Sequence, residues 1–390
     1  MKKIMILGAG IYPIPLIKQA KKMGIYTIVA SIRGNYPGFK YADKIYYIDT
    51  TDYENILKAA KEENIDGIIT AGTDVAVTTV GKVCDKLKLK GISYEAAEIA
   101  NNKLKMKDVY EAAGVRTARY KKICFDDNIR KGIAGLNFPL IFKVVDSSGS
   151  RGIEKVLSPD EAETVAERIK QYTKQDYFIV EEFLVGEEFG AQAYIEDGEI
   201  KFILPHGDYV FQGDTGVPIG HFVPYNLDSQ ILDDAKNQLK KAAKAMLLDN
   251  CAMNVDFILC NGKTYVLEIG GRSGATCLSE LVSIYYGFNY YEKMIRVSLG
   301  ENVDFSSEKT IPCAAMLLKS DKKGEIVSQI NNNSDENVLD VQFDYQVGDE
   351  IEKFRIGPNR IGHVIVTGKT IEQAVSNLNN ALDNIQIIVK

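Results

Sequence analysis

The chain has 390 residues, 45% of them hydrophobic and 26% charged, with a net charge of −6. That is enough chain for two or three domains with a sizeable core and the composition of an ordinary soluble protein. The mildly acidic balance argues against nucleic acid or an anionic membrane as the main partner, a local basic patch excepted.

At the N-terminus, MKKIMILGAGIYPIPLI imitates a secretory leader, with two lysines before an apolar run. Two glycines and two prolines interrupt it, and no A-x-A cleavage site follows. No stretch approaches the roughly 18–20 apolar residues of a membrane span. The expected location is the cytoplasm. The cysteines (Cys84, Cys124, Cys251, Cys260, Cys277, Cys313) form no CxxC pair and no metal-ligand spacing, and read as reduced, mostly buried thiols. Three histidines are too few and too dispersed for a His-built zinc site.

The first hundred residues alternate strand and helix. KIMILGAG reads as a buried strand, PLIKQAKKMG as an amphipathic helix closed by Gly24, and YTIVAS and KIYYIDT as further strands. The helix YENILKAAKEENI and the strand DGIITAG follow. This rhythm predicts an α/β region, a parallel sheet with helices on both faces. Gly8-Ala9-Gly10 ends the first strand where backbone N–H groups can face an anion. Pro13 stands where a dinucleotide fingerprint has its third glycine, and no acid closes the second strand. A tight turn in a Rossmann-like fold is therefore favoured over an NAD site.

NNKLKMKDVYEAAGVRTARY, 101–120, predicts one helix ending at Gly114. From FPLIFKVVD to about residue 300 the pattern becomes α+β. Its expected strand pairs are FPLIFKVV with GIEKVLS, and YFIVEEFL with EFGAQAYIEDGEIKFILP. A third region carries VLDVQFDYQVGDEI, GHVIVTG and a final helix, TIEQAVSNLNNALDNI. Asn331-Asn332-Asn333-Ser334 is the most linker-like stretch. The expected domains are 1–100, Rossmann-like; 101–310, with subdomains dividing near 120–195; and 311–390, a small α+β domain.

Three stretches carry chemistry. KVVDSSGSRGI places Lys143 on a strand ahead of a loop with Ser147, Ser148, Gly149, Ser150 and Gly152. No GxxxxGK[ST] string exists, but such a loop can fold over a triphosphate while Lys143 reaches in as a point charge. A solvated hairpin turn is the plain alternative. In VDFILCNGKTYVLEIGGR, Asn261-Gly262 signals a hairpin, and Asp256 and Glu268, equidistant from that turn, fall near each other across the ladder. Two carboxylates plus phosphate oxygens make a magnesium environment, and Arg272 follows four residues on, suited to an anionic intermediate. In IVEEFLVGEEF, a strand ending in Glu181-Glu182 runs through Phe183-Leu184 to Gly186, a connector whose backbone can read an adenine edge between apolar side chains.

Taken together, Lys103 before a helix, Lys143 before its flap, the Glu-Glu-Phe-Leu connector and the hairpin carrying Asp256 and Glu268 resemble the ATP-grasp superfamily, over essentially the whole chain. The layout resembles its biotin-carboxylase-like, carbamoyl-phosphate-synthase-like and phosphoribosylglycinamide-synthetase-like branch. The resemblance implies that Lys103 and Lys143 contact ATP phosphates, with Ser147 to Gly152 as the flap. It implies Glu181, Glu182, Phe183 and Leu184 as the adenine hinge and Glu188 as the ribose contact. Asp256 and Glu268 are the implied ligands of Mg2+, or of Mn2+ in its place, and Arg272 with Lys143 the catalytic pair. Two departures are visible: the family's Glu-x-Asn reads Glu268-Ile269-Gly270 here, and the first acid is Asp256 rather than the commoner Glu, with Asn254 just before it as the candidate substitute. In PHGDYVFQGDTGVPIGHFVPYN, His206, Asp208, Asp214, Thr215 and His221 are the candidate substrate contacts.

The implied activity is ATP- and magnesium-dependent joining of a carboxylate to an amine through an acyl phosphate. The partners are then two small molecules, with no nucleic acid or membrane, and a homodimer is the family habit. The residues leave open the acid, the amine and the number of metal ions. A phosphoribosylamine–glycine ligase, a bicarbonate-using carbamoyl-phosphate-synthase-like enzyme and a non-catalytic ATP sensor stay as alternatives.

Overall fold

The computed structural model describes residues 1–147, 151–213 and 215–390. The chain opens with β1 (Lys3–Leu7), β2 (Tyr26–Ser31), β3 (Lys44–Tyr47) and β4 (Gly67–Ile69), paired in parallel in the order β3-β2-β1-β4. Ile4, Met5, Ile6 and Leu7 are all fully buried, as a parallel strand covered on both faces requires. Their alternation shows the two layers. Met5 and Leu7 share a core with Ile56 and Ala60 of the helix Tyr53–Glu63, whereas Ile4 and Ile6 pack with Leu16 and Ile17 of the helix Ile14–Lys22. The helix expected after residue 100 runs from Lys103 to Ala112, N-capped by the Asn102 side chain.

A small antiparallel sheet follows, built from β5 (Tyr120–Cys124), β6 (Leu140–Lys143), β7 (Ile153–Val156) and β8 (Tyr177–Glu182) in the order β5-β8-β6-β7. The expected β6–β7 pairing is present, with Lys143 opposite Ile153. The expected pairing of β8 with the strand after it is not. β8 lies between β5 and β6, and the chain then leaves for another sheet. The crossing is made at Gly186, where a Cβ would stand 2.2 Å from the Leu259 carbonyl oxygen. Adjacency in sequence suggested a hairpin; the backbone contact at Gly186 fixes a change of sheet instead.

That second sheet takes β9 (Glu187–Glu196), β10 (Glu199–Val210), β11 (Pro218–Val223), β12 (Cys251–Cys260), β13 (Lys263–Gly270) and β14 (Cys313–Leu318). The last quarter of the chain adds β15 (Gly324–Asn331), β16 (Val338–Phe343), β17 (Glu350–Ile351), β18 (Gly362–Thr367) and β19 (Ile385–Val389). The long sheet runs β13-β12-β9-β10-β11-β14-β18-β16, and β17-β15-β19 form a separate small one. The final helix spans Ile371–Asp383. Asn331 to Ser334 is not a linker. Asn332 N donates to Asn384 O at 2.9 Å and Asn333 Nδ2 to Ala381 O at 3.0 Å, so the stretch is a turn held against the final helix.

All six cysteines are unpaired; four are buried, and Cys124 and Cys260 are half-buried. Among the described residues no helix is long and apolar enough to cross a membrane.

The small sheet has its own core, in which Phe178 packs against Phe125 and Phe142 at ring-centroid distances of 4.9 and 5.1 Å. Phe178→Ala should cost about 3–5 kcal/mol through lost burial and the cavity left behind. Urea unfolding followed by near-ultraviolet dichroism measures it, and a loss under about 1 kcal/mol would contradict the packing described.

Candidate active site

The acidic pair is set by a β-bulge. From the turn, Cys260 pairs with Lys263, Leu259 with Thr264, Ile258 with Tyr265 and Phe257 with Val266. The register then shifts, and Asp256 pairs with Glu268 rather than with Leu267. The two acids are therefore not equidistant from the turn; one extra residue on β13 restores them to one face, as bulges do. Across the sheet the same rung continues through Gly190 on β9 to His206 on β10. Glu268, Asp256, Gly190 and His206 thus stand in line on one face.

Protein surrounding the cleft raises the Asp256 carboxyl, and repulsion from Glu268 and Asp208 adds to this, while His206 and Arg272 partly offset it. The net effect pushes it up to about 7. The Asp256 side chain nevertheless opens onto the cleft, so solvent screens part of this repulsion.

Lysines face the pair. Lys103 Nζ is 3.0 Å from Glu268 Oε1 and 2.9 Å from Ser147 O. Lys143 Nζ lies 3.2 Å from Glu181 Oε2. Lys143 stands opposite Ile179 and Glu181 opposite Ile141, so the ion pair is a same-face diagonal between β6 and β8. Lys107 Nζ reaches the same oxygen at 3.3 Å, with Thr117 Oγ1 at 2.5 Å. Burial opposes charge at Glu181, but Lys107 and Lys143 prevail and hold its carboxyl low. Burial lowers Lys107, whereas Glu181 and Glu268 outweigh burial at Lys143 and raise it. Sequence reading missed Lys107. The signal was its i, i+4 spacing from Lys103, which puts both on one helix face.

Arg272 is held from the first sheet. Its Nε and Nη2 donate to Asp74 Oδ1 and Oδ2 at 2.8 and 3.0 Å, and Nη1 to Ser273 O at 3.1 Å. Asp74 lies in the loop after β4, a partner that no local motif pointed to. Asn254 stands directly opposite Gly270, and its Oδ1 accepts from Gln192 Nε2 at 2.7 Å, while Gln192 Oε1 accepts from Gly274 N at 2.8 Å. The asparagine is thus on the rung that lacks a side chain at 270, already engaged by Gln192.

Two of the three histidines, far apart in sequence, meet in the fold. His206 Nδ1 and His221 Nδ1 both contact Asp208 Oδ1, at 2.7 and 2.6 Å, because Asp208 faces His221 across β10–β11 and His206 precedes it by two residues. Both imidazoles are buried, and His206 Nε2 has no partner among the described residues. Burial opposes the charge on Asp208, but the two histidines keep its carboxyl low, and burial itself lowers His221.

Other expected residues are spread around this centre. Glu182 Oε1 accepts from Arg119 Nη1, Asn137 N and Asn137 Nδ2 at 2.8–3.0 Å. Phe183 N donates to Pro139 O, and Lys155 Nζ sits 3.6 Å over the Phe183 ring. Leu184 N makes no backbone hydrogen bond among the described residues. Glu188 is exposed opposite Ile258 on β12. Thr215 is placed elsewhere: its hydroxyl donates to Arg355 O at 2.6 Å. Gly152 closes its loop at φ +68°, where a Cβ would meet Val144 Cγ2 at 2.5 Å. Ser148, Gly149, Ser150 and Asp214 lie outside the described residues.

With this geometry in hand, residues 136–280 match the ATP-grasp domain family and residues 317–390 match the L-amino acid ligase C-terminal domain 2 family. The crystal structure of phosphoribosylglycinamide synthetase from Anaerococcus prevotii is 34% identical, with a TM-score of 0.87 over 100% of both chains. The chain belongs to the ATP-grasp family. An L-amino acid ligase from Bacillus licheniformis, 16% identical with a TM-score of 0.82 over 100% of this chain and 99% of that one, shares the fold. Alanine–anticapsin ligase from Bacillus subtilis (strain 168) is 25% identical over 295 residues, which are 68% of this chain and 62% of that protein. The chain therefore spans less than two thirds of that curated relative.

A carboxyl raised from 3.8 to about 7 by folding binds its proton more tightly in the folded chain than in the unfolded one. The stability this gives is full below about pH 4 and is lost as pH rises to about 7. Asp256→Asn should therefore stabilise the ligand-free protein increasingly across that window, by on the order of 1 kcal/mol at pH 8 once solvent screening is allowed for. Denaturant titrations at pH 4.5 and pH 8 read this; a gain that does not grow with pH would contradict the electrostatics described.

Proposed function

We propose that the chain is an ATP- and magnesium-dependent ligase that activates a small-molecule carboxylate as an acyl phosphate and couples it to an amine. The observation that carries this reading is the Asp256–Glu268 pair, held opposite each other by the bulge and faced by Lys103 and Lys143. Two carboxylates on one rung, one raised and the other paired only with Lys103 among the described residues, form a site that a hard divalent cation relieves. Asp256 and Glu268 would hold the metal, which when bound would supply positive charge to offset that of the phosphates. The Leu184 amide, with no backbone hydrogen bond among the described residues and beside Phe183 at the junction of the two sheets, suits an adenine edge. Lys103 and Lys143 are placed to exchange a carboxylate partner for phosphate oxygens, and Lys107 keeps Glu181 neutralised while Lys143 does so. Glu188, exposed at the start of β9, is the ribose contact in this reading, and the Ser147–Gly152 loop is the flap.

The carboxylate oxygen attacks the γ-phosphorus and ADP departs. The acyl phosphate is then open to displacement of phosphate by an amine. Arg272, held by both oxygens of Asp74, offers a fixed cation beside that anion. The names of the relatives support an α-amino acid as the carboxylate: two are amino-acid ligases, and the third makes a glycinamide. Phosphoribosylamine as the amine is the second reading, favoured by the 34% identity over the full chain. We place this activity in the cytoplasm, in a homodimer.

Screening the twenty protein amino acids singly with Mg-ATP should reveal acid-dependent ADP release. Nucleotide binding with no such release would favour an ATP sensor instead. Glu268→Gln should lower turnover by at least about 100-fold by removing one negative ligand. Lys143→Met should raise the ATP requirement, as equilibrium binding of a fluorescent ATP analogue reports, and unchanged affinity would place the phosphates elsewhere.

A further inference from the structure

His206 is used by nothing described so far, yet it is a buried and anchored ring on the active face. It is 2% exposed, and its Nδ1 is fixed on Asp208 Oδ1 at 2.7 Å. A carboxylate accepts only from N–H, so Nδ1 carries a proton, and in the neutral ring the lone pair is on Nε2. Nε2 is buried without a partner among the described residues. Leaving an acceptor in this state costs free energy that a purely structural ring would avoid by bonding a neighbour.

The backbone makes room for this ring. His206 stands opposite Gly190, and Gly190 stands opposite Asp256. A Cβ at Gly190 would lie 2.1 Å from His206 Cε1 and 2.5 Å from Nε2. The imidazole therefore lies over the one position of the rung that has no side chain, between Asp208 on one side and the Asp256–Glu268 pair on the other. His221 donates its own Nδ1–H to the same Asp208 oxygen at 2.6 Å, which fixes the carboxylate from a second side.

We propose that His206 Nε2 is the base that takes the proton from the incoming amine, with Asp208 and His221 as its positioning residues. The proposal rests on the ligase reading above. An amine enters as an ammonium ion and cannot attack until one N–H proton leaves. In the proposed step that proton passes to Nε2, and the freed nitrogen pair forms the bond to the acyl carbon. The bond from that carbon to the phosphate oxygen breaks, phosphate departs with the electron pair, and it takes the second N–H proton. The imidazolium left behind faces the Asp208 carboxylate, the orienting arrangement used wherever histidine serves as a base held by an acid.

Hydroxylamine separates this step from the one before it. It is already neutral near pH 7 and traps an acyl phosphate as a hydroxamate without needing a base. His206→Asn and His206→Gln are both made. Asn keeps a donor near the Nδ1 position for Asp208, and Gln fills the ring's length. The variants are compared in full-length protein, with the amino acid that the screen identifies, and read on whichever keeps the wild-type thermal shift with Mg-ATP. Amide formation should fall by about 100-fold or more while hydroxamate formation stays within about 5-fold of wild type. Equal loss of both products, or amide formation within about 5-fold of wild type, overturns the proposal. Wild-type protein that yields no hydroxamate with any acid removes the ligase reading, and the base with it.

Discussion

Like charge on one rung of a sheet is the constraint from which the rest of the site follows. Asp256 and Glu268 oppose each other across β12–β13, and no ion pair inside that hairpin relieves them. Directly opposed like charges destabilise a ladder. The protein answers with cations brought from elsewhere: Lys103 from a helix, Lys143 from the small sheet and Arg272 from the loop beyond β13. Each of these is itself held by a second acid or a carbonyl. The site is a network of compensations spanning three sheets, and its geometry depends on all of them being packed in register.

Much of this was legible from the sequence wherever the signal was local. The Asn261-Gly262 turn, the buried apolar strands of the first sheet and the Lys143 strand ahead of its loop are fixed by neighbours a few residues away. The signals that failed were of two kinds. The bulge at Asp256 changes a residue count by one, and hydrophobic alternation alone does not register it. The partners of Arg272 and Glu181 come from Asp74 and Lys107, 198 residues apart in the first case. Nothing in a linear pattern announces such a pair. The misplaced pairing of β8 has the same origin: a connector of four residues suggests a hairpin until the backbone contact at Gly186 is known.

The histidines show how topology turns sparse residues into a cluster. His206 and His221 are fifteen positions apart by number, and the intervening chain folds back so that Asp208 meets both. Counting histidines predicted nothing useful there, because one shared carboxylate does the work that several imidazoles would otherwise share.

Placement along the rung also explains how two acids and two histidines sit on one face with no ion pair between a histidine and Asp256 or Glu268 among the described residues. Direct contact between His206 and Asp256 would pair the imidazole with the carboxylate and occupy both. Gly190, the empty position between them, sets the ring one strand away. Asp208 then takes the imidazole N–H, so the histidine is oriented by an acid that has no part in the carboxylate pair. Asp256 and Glu268 thus stand without a histidine ion pair among the described residues. A side chain at position 190 would displace the imidazole, since the space it needs is the space the ring fills.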